Sequence, residues 1–394
     1  MKRFCFLLFV SAIAMADDTN LEEVLHKGSN QFTANMFSEV AKDNPKKSIV
    51  LSAFSVMTPL AQLALASVGP SHDELLQSMG LPNDQVTKDV FSLVDTKLRS
   101  VKGVEMKTAS KIYIPLNYEL NPEFEAVSRD VFHSKVENVN FVQSDPTAKL
   151  INDWVEEQTN HRIKDLVDPS SLNKLTRAVL VNALYFKGSW ETPFKKHYTQ
   201  DREFHVSKEK SVQVPMMFNK ADFRYGESEV LKSKLLEMDY VGEQSSMLIV
   251  LPDEVDGLEA LMEKLKDLSI LDSETKKMFE VEVAVSLPKF KIETTTDLKE
   301  TLKKMNVNKL FNPEEAHLDK LIKDGHGLYV SNAVQKAFIE VNEEGAEAAA
   351  SNQFGIAYLS AITNIKEYKF NANHPFAFFL KQNGNILFSG LFYA

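Results

Sequence analysis

The chain has 394 residues, of which 44% are hydrophobic and 25% charged, an ordinary composition for a globular protein. Its formal net charge of −10 argues against nucleic acid or an anionic membrane as the main partner. The single cysteine, Cys5, lies in an N-terminal apolar run. The rest of the chain therefore offers no disulfide, thiol nucleophile or cysteine-ligated metal.

The first residues, MKRFCFLLFVSAIAMA, combine two basic residues, a short apolar run and a small-residue ending. This pattern predicts a signal peptide at residues 1–16 and a secreted, extracellular product. The run is too short for a membrane anchor, which needs roughly 20 residues. Glycine and proline are scattered without a linker, so residues 17–394 are predicted to form a single domain.

The N-terminal third is predicted to be mainly helical. Residues 20–42 carry apolar side chains at helical spacing, and the nearly all-apolar FSVMTPLAQLALAS indicates a buried helix. DPTAKLINDWVEEQTNH begins with an aspartate and a proline, a typical helix start.

Five basic residues lie between these helical segments. They are Lys97, Arg99, Lys102, Lys107 and Lys111. A weak contact with a polyanion is one interpretation, and a solvated helix-to-strand face is the favoured alternative.

Strands are predicted in the second half. TRAVLVNALYFKG is a continuous apolar run broken only by Asn182, as expected for a strand buried on both faces. A buried asparagine needs hydrogen-bond partners, so other polar groups should lie beneath the sheet. FEVEVAVSL alternates like a half-buried strand, and NILFSGLFYA closes the chain as another. The predicted class is α+β.

Motifs of enzyme active sites are missing from the sequence. There is no GxSxG, HExxH, Walker loop or GxGxxG, and no two of the nine histidines stand at metal-ligand spacing. We therefore expect no catalytic residues, no metal, no cofactor and no enzymatic activity.

The segment EEGAEAAASNQFGIAYLSAITN, starting at Glu343, is the unusual feature that remains. Its alanines favour a helix. Small side chains without proline also suit a segment that inserts as a strand between existing strands. The residues alone leave both possibilities open.

Four motifs resemble the serpin family, over essentially residues 20–394. They are VNALYFKGSWETPF, LPKFKIETTTDL, AFIEVNEEGAEAAAS and FNANHPFAFFL. The resemblance is strongest to secreted inhibitory serpins of insect haemolymph. It implies three β-sheets, eight to nine helices and an exposed C-terminal reactive loop at about residues 343–367.

The resemblance also implies an activity. A target serine protease attacks the loop and forms an acyl-enzyme, and the loop then inserts into the main sheet with the protease covalently attached. The inhibitor itself is expected to be a monomer. The alternatives are a non-inhibitory carrier or storage serpin and a cross-class inhibitor of cysteine proteases.

In this scheme Gly345 is the hinge, and the side chains after it alternate between the two faces of the inserted strand. The predicted inward residues are Ala346, Ala348, Ala350, Asn352, Phe354 and Ile356, and the outward residues are Glu347, Ala349, Ser351, Gln353 and Gly355. The charge lies on the outward face, as burial of the other face requires.

The scissile bond is expected about fourteen residues past the hinge glycine, at Leu359–Ser360. Leu359, with Tyr358 before it, suits the apolar primary pocket of a chymotrypsin-like protease. Tyr358 also keeps inhibition of cysteine proteases open.

Other positions carry over from the family. Ser52, Ser55 and Asn182 match the region where the main sheet opens, with Gln335 where the family usually has a histidine. Trp190 matches the top of that sheet, and Lys289 and Glu343 match an ion pair there.

Overall fold

The computed structural model describes residues 4–98, 103–323, 325, 327–344 and 367–394. Within them the chain forms nine α-helices and fourteen strands. The helices are α1 Phe4–Asp43, α2 Ala53–Ala66, α3 Gly69–Met79, α4 Asp84–Leu98, α5 Pro122–Asp130, α6 Ser144–Gln158, α7 Leu258–Lys264, α8 Leu268–Thr275 and α9 Leu298–Lys304. In the described part of the chain, none of these helices has the length and apolarity needed to span a membrane.

The strands account for most of the second half of the chain. They are β1 Ile49–Leu51, β2 Val104–Pro115, β3 Val136–Val139, β4 Ala178–Gly188, β5 Gln200–Ser207, β6 Lys210–Ser228, β7 Ser233–Asp239, β8 Ser245–Pro252, β9 Phe279–Pro288, β10 Phe290–Asp297, β11 Val330–Val341, β12 Tyr368–Asn371, β13 Phe376–Gln382 and β14 Asn385–Phe392. Short 3₁₀ turns lie at Pro169–Ser171, Lys196–Tyr198 and Lys309–Phe311.

A five-stranded sheet has the order β10-β11-β4-β2-β3. β11 and β4 run parallel at its centre, whereas β10 pairs antiparallel with β11, and β2 antiparallel with β4. The first nine residues of β4 are buried, as the unbroken apolar run predicts for a central strand.

The other nine described strands form one continuous sheet, with the path β1-β14-β13-β8-β7-β6-β9-β12 and β5 paired to β6. The resemblance implies two sheets here, and three in all. The two expected sheets are joined by β6, which is 19 residues long. β6 pairs with β5 and β9 along most of its length, and at its end it pairs with β7. One strand therefore belongs to two subsheets.

The main core lies between the two sheets and around α1 and α2. α2 is buried along nearly its whole length, and it packs against β2, β4 and β14. A second apolar cluster covers the opposite face of β2 and β4, where α6 contributes Ile151 and Val155. The five-stranded sheet is thus covered on both faces.

Candidate functional site

The seam between β4 and β11 is the geometric centre of the five-stranded sheet. These two parallel strands pair from Ala178 with Val330 up to Phe186 with Ile339. Near the middle of the seam, Asn182 lies directly opposite Gln335. A strand that entered this sheet at the seam would have to separate these two residues.

The four residues predicted to lie beneath the opening of the sheet are brought together in one buried network. Gln335 Nε2 donates hydrogen bonds to Asn182 Oδ1 at 2.7 Å and to the Ser52 carbonyl at 2.8 Å. The Ser55 hydroxyl also donates to Asn182 Oδ1, at 2.8 Å, and Asn182 Nδ2 donates to the Ser55 carbonyl at 3.2 Å. The Ser52 amide donates to Gln335 Oε1 at 3.1 Å.

This network fastens both strands of the seam to the start of α2. Ser52 is the N-cap of α2, and its hydroxyl accepts a hydrogen bond from the Ser55 amide. Asn182 and Gln335 are completely buried, so each of these hydrogen bonds is made out of reach of water. None of the four side chains titrates in the physiological range, so the network itself has no pH-dependent charge.

The upper end of β11 carries a buried carboxylate. Glu343 is only 5% exposed, and it accepts hydrogen bonds from Lys289 Nζ at 2.8 Å and from the Thr199 hydroxyl at 2.9 Å. Burial by itself raises the pKa of Glu343, but the bonds from Lys289 and Thr199 outweigh burial and the net pKa is lowered. The carboxylate is therefore held in its charged form.

Trp190 stands beside the same strand end. Its indole N–H donates to the Asn342 carbonyl at 2.9 Å, and its ring stacks on Tyr240 with centroids 4.4 Å apart. Gly188, at the end of β4, lies so close that an added Cβ would come within 2.3 Å of the Tyr240 ring. The top of the seam is thus a packed aromatic contact.

Three residues at this end were not singled out from the sequence. Thr199 is the second partner of Glu343, Lys196 forms an ion pair with Glu344, and Tyr240 supports Trp190. Each comes from a segment distant in sequence from its partner, so neither spacing nor periodicity could have identified it.

The predicted hinge and scissile residues lie outside the described residues. They are Gly345, Ala346, Glu347, Ala348, Ala349, Ala350, Ser351, Tyr358, Leu359 and Ser360. The described chain ends on one side at Glu344, which pairs with Lys196, and resumes at Glu367, just before β12.

Of the predicted basic cluster, the structure describes the side chains of Lys107 and Lys111. Lys111 is 9% exposed, pairs with Glu137 at 2.9 Å and lies 3.8 Å above the Trp154 ring, so its charge is already engaged. Lys107 is exposed on β2. Lys97 belongs to α4 but its side chain is not described, and Arg99 and Lys102 lie outside the described residues.

The chain is similar to known proteins along its whole length. A family model described as serpin (serine protease inhibitor) matches residues 27–394. An antichymotrypsin-2 of Bombyx mori is 54% identical, over 95% of this chain and 99% of its own. An antitrypsin of the same moth is 52% identical over the full length of both chains.

A solved structure agrees with the match to the serpin family model. The structure titled Serpin48, a highly specific serpin of Tenebrio molitor, superimposes with a TM-score of 0.85 at 36% identity and covers 94% of this chain and 98% of its own. The α+β architecture, with nine helices among the described residues, is the serpin fold. The chain therefore belongs to the serpin family.

Proposed function

We propose that this serpin is a secreted, suicide-type inhibitor of serine proteases. Residues 1–16 are removed on export. A protease cleaves the loop that follows Glu343, is held as an acyl-enzyme, and is trapped when the loop inserts between β4 and β11. The loop and its bond are inferred from the sequence, and the relatives named as protease inhibitors support the class of target.

The observation that carries the proposal is the seam between β4 and β11. These strands are parallel neighbours at the centre of the sheet, and the segment in question leaves directly from the upper end of β11. A chain that turns back at this point can descend between them and pair antiparallel with both. The 22 residues at 345–366 exceed the 12 residues of β11, so their length is sufficient.

The proposed target is a chymotrypsin-like protease. Leu359 offers an apolar side chain to the primary pocket, and Tyr358 precedes it. The two Bombyx relatives are similar to this chain over nearly equal lengths, yet one is named for chymotrypsin and the other for trypsin. Overall similarity therefore does not decide between the two targets, and the choice of chymotrypsin rests on Leu359.

A direct experiment is incubation with chymotrypsin and, in parallel, with trypsin. We expect a complex with chymotrypsin that survives boiling in detergent, and a released C-terminal peptide that begins at Ser360. Faster inhibition of trypsin would overturn the assigned target class. A new N-terminus far from residues 359–361 would overturn the assigned bond.

The trapping step is tested by Ala346→Arg, the first side chain predicted to point inward. Insertion would then bury an unpaired charge, which costs several kcal/mol. A slowing of insertion by tenfold takes only about 1.4 kcal/mol, so hydrolysis of the acyl-enzyme should win. We expect the variant to be cleaved at a similar rate, with active protease recovered and little stable complex.

Ala349→Arg is the matched control, because the same change falls on the outward face of the inserted strand. It should still form the complex at near wild-type stoichiometry. Equal trapping by both variants would exclude sheet insertion. Cleavage without any complex in the wild type would instead favour a non-inhibitory carrier.

A further inference from the structure

The hairpin that joins β13 to β14 turns on two residues, Asn383 and Gly384, and the pair Gln382–Asn385 closes the ladder beside them. The φ angles of the two residues are 48° and 82°, so both lie in the left-handed region, as in a type I′ turn. Asparagine followed by glycine is the pair that this turn favours, because neither residue is strongly penalised there. The turn therefore explains why these two residues are adjacent.

The same pair is the form of asparagine that reacts most readily with the main chain. The backbone nitrogen of Gly384 can attack Cγ of Asn383, and no Cβ on the glycine hinders the approach. Both residues are exposed, and a Cβ built on Gly384 would meet no atom within 4 Å beyond its chain neighbours. Within the described chain, neither the Asn383 side-chain amide nor the Gly384 N–H makes a hydrogen bond. Both reacting groups are therefore free to meet.

The end of the hairpin beside this turn is not fixed by side-chain hydrogen bonds. Gln382 is 1% exposed, yet neither polar atom of its amide has a partner among the described residues. Ser245 lies directly opposite Gln382 in β8, and its hydroxyl is unpaired in the same part of the structure. A bulge between Leu380 and Lys381 also interrupts the ladder with β14. A rearrangement of the turn therefore breaks no side-chain hydrogen bond of Gln382 or Asn383.

We propose that Asn383 is a modification site, at which the protein converts spontaneously to an isoaspartyl form as it ages. The Gly384 nitrogen loses its proton and bonds to Cγ of Asn383, and the bond from Cγ to Nδ2 breaks and releases ammonia. Water then opens the five-membered imide. Opening at the main-chain carbonyl of Asn383 gives isoaspartate, and opening at Cγ gives aspartate. The reaction needs only water, and the inference does not depend on the proposed function.

Isoaspartate carries the main chain through the former side chain, so it adds a methylene to a turn of fixed length. The two-residue turn sets the register of the hairpin, and the longer main chain therefore disturbs the pairing of Gln382 with Asn385. β13 and β14 are buried along nearly their whole length, so the disturbance reaches the core of the nine-stranded sheet. Conversion of Asn383 also adds a negative charge. We therefore expect the isoaspartyl form to be more acidic and less stable.

The test stores the purified full chain for several weeks at mildly alkaline pH. Isoaspartate in the digested peptides is then labelled with protein L-isoaspartyl methyltransferase and radioactive S-adenosylmethionine, and mass spectrometry locates it. Digestion in water enriched in heavy oxygen marks any conversion that occurs during the digest itself.

The variant is Gly384→Asn, because asparagine tolerates the left-handed region and fits the open space, while its Cβ hinders the attack. Asn306 is the internal control. It is exposed with a φ of 66°, but the nitrogen that follows it belongs to Val307 and donates to the Leu302 carbonyl at 2.9 Å.

We expect the label to accumulate at Asn383 in the wild type, several times more slowly in Gly384→Asn, and not at Asn306. No label at Asn383, or equal labelling of the wild type and Gly384→Asn, would overturn the proposal. The isoaspartyl fraction, separated by anion exchange, should unfold at a lower urea concentration than fresh Asn383→Asp, which has the same charge and a normal main chain. Equal midpoints for these two proteins would refute the disturbance of the hairpin.

Discussion

Gln335 has no access to solvent and uses both ends of its amide, which makes it the most constrained polar side chain of the seam. Its Nε2 faces three acceptors, and its Oε1 faces a donor. Gln335→Glu keeps the shape but replaces the donor by an oxygen that faces Asn182 Oδ1 and the Ser52 carbonyl. Gln335→Met removes the hydrogen bonds without adding a charge.

We expect Gln335→Met to lower the free energy of unfolding by about 2 kcal/mol, and Gln335→Glu to lower it further at neutral pH. Burial raises the pKa of the introduced carboxyl above its unfolded value. The additional loss of unfolding free energy in Gln335→Glu is therefore largest at high pH, and it becomes smaller as the pH falls through the folded-state pKa of the introduced carboxyl. Urea unfolding at several pH values measures the difference between the variants, and a pH-independent difference would contradict the geometry.

The charge of His72 contributes to the stability of the folded protein. It bonds to Asp84 at 2.6 Å and to Asp73 at 3.1 Å, joining α3 to the start of α4. Burial lowers the pKa of His72, but the two carboxylates outweigh burial, and the net pKa is raised above 6.5. The stabilisation is thus complete below about pH 6.5 and is lost as the pH rises through the folded pKa.

We expect His72→Gln to remove this pH-dependent stabilisation. The unfolding free energy of the variant should therefore fall less than that of the wild type between about pH 6 and pH 8. Parallel curves for wild type and His72→Gln would show that the contact does not depend on charge.

Among the elements, α6 packs on the five-stranded sheet through apolar side chains, and one ammonium group of the sheet adds a polar contact to it. Lys111 Nζ of β2 lies over the Trp154 ring of α6 and pairs with Glu137 of β3, so three elements meet at this ammonium group. Lys111→Met keeps the aliphatic stem, and we expect it to cost about 1–2 kcal/mol in urea unfolding. Lys107→Met, on the same strand but exposed, should cost under about 0.5 kcal/mol.

The same pair of variants tests the polyanion interpretation. Because the Lys111 charge is engaged inside the protein, its removal should leave retention on a heparin column unchanged. A clear loss of retention in Lys111→Met that Lys107→Met does not share would show that this buried cation reaches the polyanion after all.

Elements with a strong pattern could be predicted, and contacts between distant segments could not. The apolar run of β4 and the single Asn182 within it indicated a central strand over a polar network, and the structure shows both. FEVEVAVSL is a strand as predicted, but Phe279 at its start is 48% exposed and lies edge-on to Tyr368, beyond the core. Alternation gives the face of a side chain, and it cannot give the point where the core ends.

For the site, the family motifs supplied Trp190, Lys289 and Glu343, whereas Thr199, Lys196 and Tyr240 had no signal of their own. A threonine or lysine at a surface turn looks the same in sequence whether or not a carboxylate from another segment meets it. Only the folded chain brings the turn at Lys196–Tyr198 and Thr199 against the carboxylates that follow β11.

For the molecule as a whole, the native arrangement holds one parallel ladder at the seam where an inserted loop would form two antiparallel ladders. Insertion is expected to add on the order of ten hydrogen bonds at about 0.5–1.5 kcal/mol each and to bury the inward face of the loop. The native state is therefore expected to be held kinetically, by a closed seam whose network must first be separated.

We expect cleavage in the loop without trapping, checked by mass spectrometry, to raise the melting temperature by roughly 10–30 °C. Ala346→Arg, cleaved in the same way, should gain less because its first inward position resists burial. A melting curve unchanged by cleavage would mean that the seam stays closed, and the trapping mechanism would then have to be replaced by reversible binding.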